Sequence, residues 1–169
     1  MEIRQAISSD ACNVAEVHVE SWKYAYRGLI PDSILDNLSV ENRTKFWGQA
    51  IESGNPQLLV VEKNSSLVGW VAFGSSRDGD ATSQTGEIEA IYIHPSHWRQ
   101  GFGEGLLSAA KNILIYQNYT CVTLWVLSGN IRATNFYEKQ GFQVDSCSPK
   151  VSERGGKILE EIRYKCKLG

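Results

Sequence analysis

The sequence has no apolar run long enough to cross a bilayer; the longest, such as Leu58 to Val61, are strand-sized. Its opening residues, MEIRQAISSD, lack the basic head and apolar stretch of a secretory signal. No Cys-x-x-Cys pair occurs: Cys12, Cys121, Cys147 and Cys166 are scattered, unlike a secreted disulfide scaffold. These absences lead us to expect a cytoplasmic chain with four ordinary thiols and no membrane partner. Basic charge is also lacking. The formal net charge is −2, from 17 Lys and Arg against 19 Asp and Glu, so nucleic acid is not an expected partner. Any polyanionic ligand must then be held by local geometry rather than by the overall field. The P-loop pattern is missing, and the dinucleotide fingerprint fails because its third glycine comes one place early, at Gly105.

What is present reads as one globular domain over residues 1–169, 42% hydrophobic and 21% charged, with no linker or internal repeat. "EIRQA" alternates as a first strand. Ser8, Ser9 and Asp10 offer caps for a helix with Val14, Val17, Trp22 and Ala25 on its inner face, ended by Gly28 and Pro31. Ser39 caps a second helix that Gly54 and Pro56 close. Three β-branched and aromatic runs follow, "QLLVVEKN", "LVGWVAFGSS" and "EIEAIYIH", divided by a tight turn at 64–66 and a polar loop at 77–86. A helix, the strand 121–127, a helix over 131–141 and two closing strands near 142–148 and 157–167 complete the chain. This order predicts an α/β fold: a mixed, mostly antiparallel sheet of about seven strands flanked by about four helices.

"HPSHWRQGFGEGLL", residues 94–107, places Gly101, Gly103 and Gly105 within five positions at the start of a helix. The first N–H groups of a helix have no partner within it, and the helix dipole is positive there. Residues without side chains let a pyrophosphate reach those amides. Close packing of the helix start is the competing explanation for the same glycines. Elsewhere, His94 and His97 have the spacing of a metal pair, but no third ligand stands nearby and no metal is expected. His18 reads as a packed helix residue. Asp78, Asp80 and Glu20 hint at a cationic ligand or form a solvated surface.

"EIEAIYIHPSHWRQGFGEGLL" resembles the central motif of the GCN5-related N-acetyltransferases, with Trp98 at the usual leading Gln/Arg position and Arg99 one place later. "VLSGNIRATNFYEKQGF" resembles that family's second signature, and the likeness extends over almost the whole chain. It implies acetyl-CoA as cosubstrate, with its pyrophosphate on the amides of Arg99, Gln100, Gly101, Phe102, Gly103 and Glu104. The pantetheine arm would pair with the strand backbone at Ile91, Tyr92 and Ile93, and touch Asn130 and Ala133. Asn130 also suffices as a simple helix cap.

The resemblance makes Tyr137 the expected general acid, although Tyr137 shares an apolar helix face with Ala133 and Phe136. Glu87 and Glu89, two apart on a strand, are expected to face the same side as Ile91 and to supply the base, Glu87 first. Trp22 and Tyr26 either line an acceptor pocket or anchor the helix to the sheet. No cysteine lies inside either signature, which favours direct transfer to a primary amine of a small molecule or peptide. A non-catalytic acyl-CoA-binding module and a nucleotide-binding oxidoreductase are the alternatives. Exposed edge strands also admit a homodimer.

Overall fold

Apolar alternation builds the strands, and tight turns set their order. In the computed structural model, which describes residues 1–169, β1 (Glu2–Gln5), β2 (Gln57–Lys63), β3 (Ser66–Ser75) and β4 (Thr85–Ile93) form an antiparallel ribbon. Asn64 and Ser65, both at positive φ (51° and 61°), make the reversal between β2 and β3. β5 (Cys121–Leu127) runs parallel to β4, and β8 (Lys157–Lys167) pairs antiparallel along the length of β5. On β8 also pair β6 (Gln143–Val144) and β7 (Lys150–Arg154). The sheet therefore has eight strands where seven were expected. The closing strand anticipated at 142–148 is cut to two residues. The Asp145 amide still donates to the Arg163 carbonyl at 2.8 Å, but the Asp145 carboxylate then accepts from the Ser146 amide at 2.8 Å, and Pro149 has no amide to continue the ladder.

Five α-helices cover the sheet. α1 (Ala11–Ala25), the single-turn α2 (Asp32–Asp36) and α3 (Val40–Ser53) precede β2; α4 (Phe102–Tyr116) and α5 (Ile131–Lys139) follow β4 and β5. α2 was not anticipated, because five residues are too few to show a helical period. Ser39 caps α3 by accepting from the Asn42 amide, and Asn130 caps α5 by accepting from the Ala133 amide. Asp10 stands before α1 but does not cap it. Its carboxylate accepts from the Ile7 amide at 2.9 Å and from Arg4 at 2.7 Å instead.

Two cores lie on the two faces of the sheet. Leu59, Val61, Val71 and Phe73 pack with Leu106, Leu107 and Leu114 of α4. Leu58, Val60, Trp70 and Ala72 pack with Val14 and Val17 of α1 and Trp47 of α3. Each fully buried aliphatic side chain contributes about 1.5–3 kcal/mol relative to exposure. No helix is long and apolar enough to cross a membrane.

The alternation slips once in β4. Ile88 pairs with Phe73 and Ala90 with Ala72, which leaves Glu89 as an extra, bulged residue. Beyond the bulge Ile91 and Ile93 join Ile88 on the α4 face, while Ala90 and Tyr92 pack on the α1 and α3 face.

His18 is buried on the second face, in contact with Trp22, Trp47, Trp70 and Tyr92. Its Nδ1 accepts from Trp47 Nε1 at 2.9 Å, which places the neutral ring's proton on Nε2. Burial, aided by the Arg43 charge, pushes its pKa down to about 3. The unfolded chain takes up that proton near pH 6.5, whereas the folded protein does so only at much lower pH. Folding stability from this group is therefore full above pH 6.5 and falls as the pH drops below it. At pH 5.5 the expected loss is about 1.4 kcal/mol. Urea unfolding at pH 7.5 and 5.5 should show that increment in the native protein and not in His18→Gln, which keeps an acceptor for Trp47.

Candidate active site

β4 and β5 are joined over three residues only, Thr85↔Cys121, Gly86↔Val122 and Glu87↔Thr123. Past Glu87 each strand stays with its other neighbour, β4 with β3 up to Ile93 and β5 with β8 up to Leu127. The two half-sheets diverge, and the wedge between them is a cavity of about 460 Å³. One long edge is the main chain of β4 from Ile88 to Ile93, which has no strand partner on that side. Side chains close its upper end. The Ile93 carbonyl accepts from Ser21 Oγ of α1 at 3.0 Å and from Trp98 Nε1 at 2.6 Å. Of the backbone expected to meet a pantetheine arm, at Ile91, Tyr92 and Ile93, the Ile93 carbonyl is thus already engaged, while Ile91 and Tyr92 line the open stretch.

The three glycines prove to have three separate reasons. Gly101 adopts φ +84° at the position before α4, where a residue with a side chain would be strained, and no side chain caps that helix. Gly103 lies against the α5 wall, since a Cβ there would come within 3.4 Å of Phe136 Cζ. Gly105 serves packing: a Cβ would meet Met1 Cε at 3.0 Å and Ile3 Cδ1 at 3.2 Å. The free first-turn amides of α4 therefore open on the cavity beside Arg99, Gly101, Phe102, Gly103 and Glu104, which line it. Gln100 does not. Its side chain binds Lys63 Nζ at 2.9 Å and the Ser96 carbonyl at 3.2 Å.

Asn130, Ala133, Phe136 and Tyr137 of α5 form the facing wall. Burial raises the Tyr137 phenol above its ordinary pKa, so it holds its proton at neutral pH. From α1, Tyr26 lines the cavity and its hydroxyl meets that of Tyr92 at 3.3 Å. Trp22 does not line it; its ring is packed edge-on to Tyr26 at 5.0 Å and against His18 at 5.3 Å.

The two carboxylates differ from expectation. The bulge at Glu89 turns Ile91 to the α4 face, while Glu87 and Glu89 share the other side, where Arg77 grips both. Glu87 lies outside the cavity, its side chain only 2% exposed, and accepts from the Arg77 amide (2.9 Å), Nε (3.1 Å) and Nη2 (2.6 Å). Glu89 lines the cavity and takes one contact, Arg77 Nη1 at 3.0 Å. Burial raises the Glu89 pKa; the Arg77 charge opposes that rise and the Glu87 charge adds to it.

Other anticipated charges are spent elsewhere. Asp78 accepts from Trp125 Nε1 (3.1 Å) and Lys150 Nζ (2.9 Å), and Asp80 from Arg163 Nη1 and Nη2 (both 2.7 Å). Glu20 pairs with Lys23. His94 Nδ1 is bonded to Ser96 Oγ at 2.7 Å. Sequence reasoning missed Arg132 and Trp125, both lining the cavity. The Arg132 guanidinium stacks 3.5 Å from the Trp98 ring centroid and has no carboxylate partner. Its place two residues after Asn130, inside the second signature, was the available signal.

A splayed β4–β5 pair with a bare helix start at its mouth is the architecture of a CoA-dependent acyltransferase. Residues 19–142 match the Acetyltransferase (GNAT) family model, and the chain belongs to that family. It is 28% identical to the uncharacterized N-acetyltransferase YuaI of Bacillus subtilis, covering 95% of this chain and 89% of that protein. It is also 28% identical to the L-amino acid N-acyltransferase MnaT of Escherichia coli, over 95% and 90%. The PaiA N-acetyltransferase of Thermoplasma acidophilum, solved in complex with coenzyme A, superimposes with a TM-score of 0.80 at 22% identity, over 98% of both chains. The protein is an acetyl-CoA-dependent N-acetyltransferase with the mixed sheet of that family.

Acetyl-CoA at a hundredfold its Kd should stabilise the fold by about 2.7 kcal/mol, raising the unfolding midpoint by roughly 5–10 °C, while NAD should not. Gly101→Ala meets nothing within 4 Å, so its cost is backbone strain, about 1 kcal/mol. Thermal unfolding should show that cost together with a smaller acetyl-CoA shift. An undiminished shift would place the pyrophosphate elsewhere.

Proposed function

We propose that the cleft passes the acetyl group directly to a primary amine, with Glu89 as the base and Tyr137 as the acid. The observation that carries this reading is that Glu89 on β4 and Tyr137 on α5 line facing walls of one cavity. Acetyl-CoA supplies the activated acyl thioester. Its pyrophosphate would rest on the first-turn amides of α4, from Gly101 to Glu104, and its arm along the β4 main chain near Ile91. A lysine-type amine holds its proton up to about pH 10.4, so it must give that proton up before attack. Glu89, with its pKa raised by burial, takes it at the carboxylate oxygen. As the nitrogen–carbon bond forms and the carbon–sulfur bond breaks, Tyr137 Oη, kept protonated by its own burial, gives its proton to the departing sulfur, and its phenolate takes the second proton from the attacking nitrogen. None of the four cysteines lines the cavity, which supports transfer without an acyl-enzyme.

For the acceptor we propose an amine that also carries an anionic group, as amino acids do. Stacking occupies the face of the Arg132 guanidinium and leaves its N–H edge free for a bidentate oxyanion. The relative MnaT, an L-amino acid N-acyltransferase, agrees with this.

Glu89→Gln should lower kcat/KM by about 10²–10⁴-fold without changing acetyl-CoA binding. The base works only when ionised, so activity falls as pH drops through the Glu89 pKa, and the acidic limb lies above the ordinary glutamate value. Arg132→Gln should raise KM for an amino acid by about 10–100-fold, as expected for losing a charged hydrogen bond, while sparing the corresponding amino-acid amide. A weaker acetyl-CoA Kd with acceptor KM unchanged would instead assign Arg132 to the pyrophosphate.

A further inference from the structure

We propose that Arg77, from the loop between β3 and β4, is a positioning residue that takes Glu87 as its counter-ion and leaves Glu89 to act as the base. The proposal rests on the reading of Glu89 as the base. Two carboxylates two residues apart on a bulged strand repel, and a cation placed between them relieves that repulsion. Arg77 does not share itself evenly between them. Its amide, Nε and Nη2 all serve Glu87, at 2.6–3.1 Å, and only Nη1 reaches Glu89, at 3.0 Å. Glu87, 2% exposed and held by three donors, is locked as the counter-ion of Arg77. Glu89, 15% exposed with a single contact, keeps its remaining carboxylate edge for the cavity.

The grip is itself fixed. The next residue, Asp78, is tied to β5 through Trp125, to β7 through Lys150 and to β8 through Arg163. The loop cannot carry Arg77 away from β4 without breaking those bonds. The ionisable groups facing Glu89 are therefore few. Glu87 and Arg77 act on it directly. Around the same cavity stand the Tyr26 phenol just past α1, Tyr92 of β4, Tyr137, Arg132 and Lys139 of α5, and His97, Arg99 and Glu104 at the mouth by α4. With Arg77 paired to Glu87, one negative charge, that of Glu89, is left for one incoming ammonium.

The test reads the Glu89 carboxyl directly, by carbon-13 NMR titration with its signal assigned by loss in Glu89→Gln, alongside the pH profile of kcat/KM. In Arg77→Gln the Glu89 titration should move up by about one pH unit, the low end for removing an adjacent opposite charge, and the acidic limb should move with it. That variant strands the buried Glu87 anion and can unfold. The same comparison is therefore made between Glu87→Gln and the double variant Arg77→Gln/Glu87→Gln, where no buried charge is left unpaired. The double variant should titrate about one unit higher than Glu87→Gln. Equal titrations in both comparisons overturn the role of Arg77, whatever the rates do. A Glu89 titration that moves while the acidic limb stays in place supports Arg77 and overturns Glu89 as the base.

Discussion

Everything in the site depends on a sheet that stops pairing after three residues. Main-chain groups in a sheet interior are costly to leave without partners, at about 1–3 kcal/mol each when buried. The divergence persists because each strand is fully satisfied on its other side. β4 is zipped to β3 as far as Ile93, and β5 to β8 over its whole length. The upper end of β4 is also tethered away from β5, by Ser21 and Trp98 on the Ile93 carbonyl. The cleft is therefore a gap between two rigid half-sheets and not an opening between loops. Its exposed β4 edge can take an extended ligand as it would another strand.

Charge is distributed along that gap in an order the net charge conceals. The carboxylate end, Glu87 and Glu89 with Arg77, sums to one negative charge near the bulge. The mouth gathers Arg99 and Arg132 beside the uncapped start of α4, with Glu104 in its first turn. Burial lowers the Arg132 pKa, the Tyr26 phenol opposes that fall, and the nearby Arg99 charge adds to it. One end thus carries the charge that suits an amine, and the other the charge that suits phosphate or carboxylate oxygens. With a chain at −2 overall, the separation arises entirely from placement.

The glycine turn, the Asn130 cap and the α5 wall were legible because each is a local pattern on one element. What was not legible depends on register or on contacts between distant elements. The turning of Ile91 away from the side of Glu87 and Glu89 follows from the bulge, and the bulge follows from how β4 meets β3, which no period within β4 records. Trp22 and Tyr26, four apart, look equivalent on a helix. However, α1 ends at Ala25, and Tyr26 leaves it at φ −110°, ψ 4°, its ring at the cavity while Trp22 stays packed. In the sequence, the charges of the loop at 77–86 fit a cationic ligand or a solvated surface equally. Its Arg77, Asp78 and Asp80 gain their meaning from residues 10 to 85 positions away.

The bulge also sets what β4 presents to the cleft. Beyond Glu89 the side chains of β4 are committed to two cores: Ile91 and Ile93 to the α4 face, Ala90 and Tyr92 to the α1 and α3 face. Only the main chain of that stretch is left to face the gap. Tyr92 shows how tightly the two duties are joined. Its ring stacks on the buried His18 at 5.5 Å, and its hydroxyl meets Tyr26 at the cavity wall. A substitution at these positions therefore disturbs packing before it changes any contact with a ligand. Such a strand can keep one cofactor geometry while the residues around it, Tyr26, Glu89, Trp125 and Arg132, are free to set the acceptor.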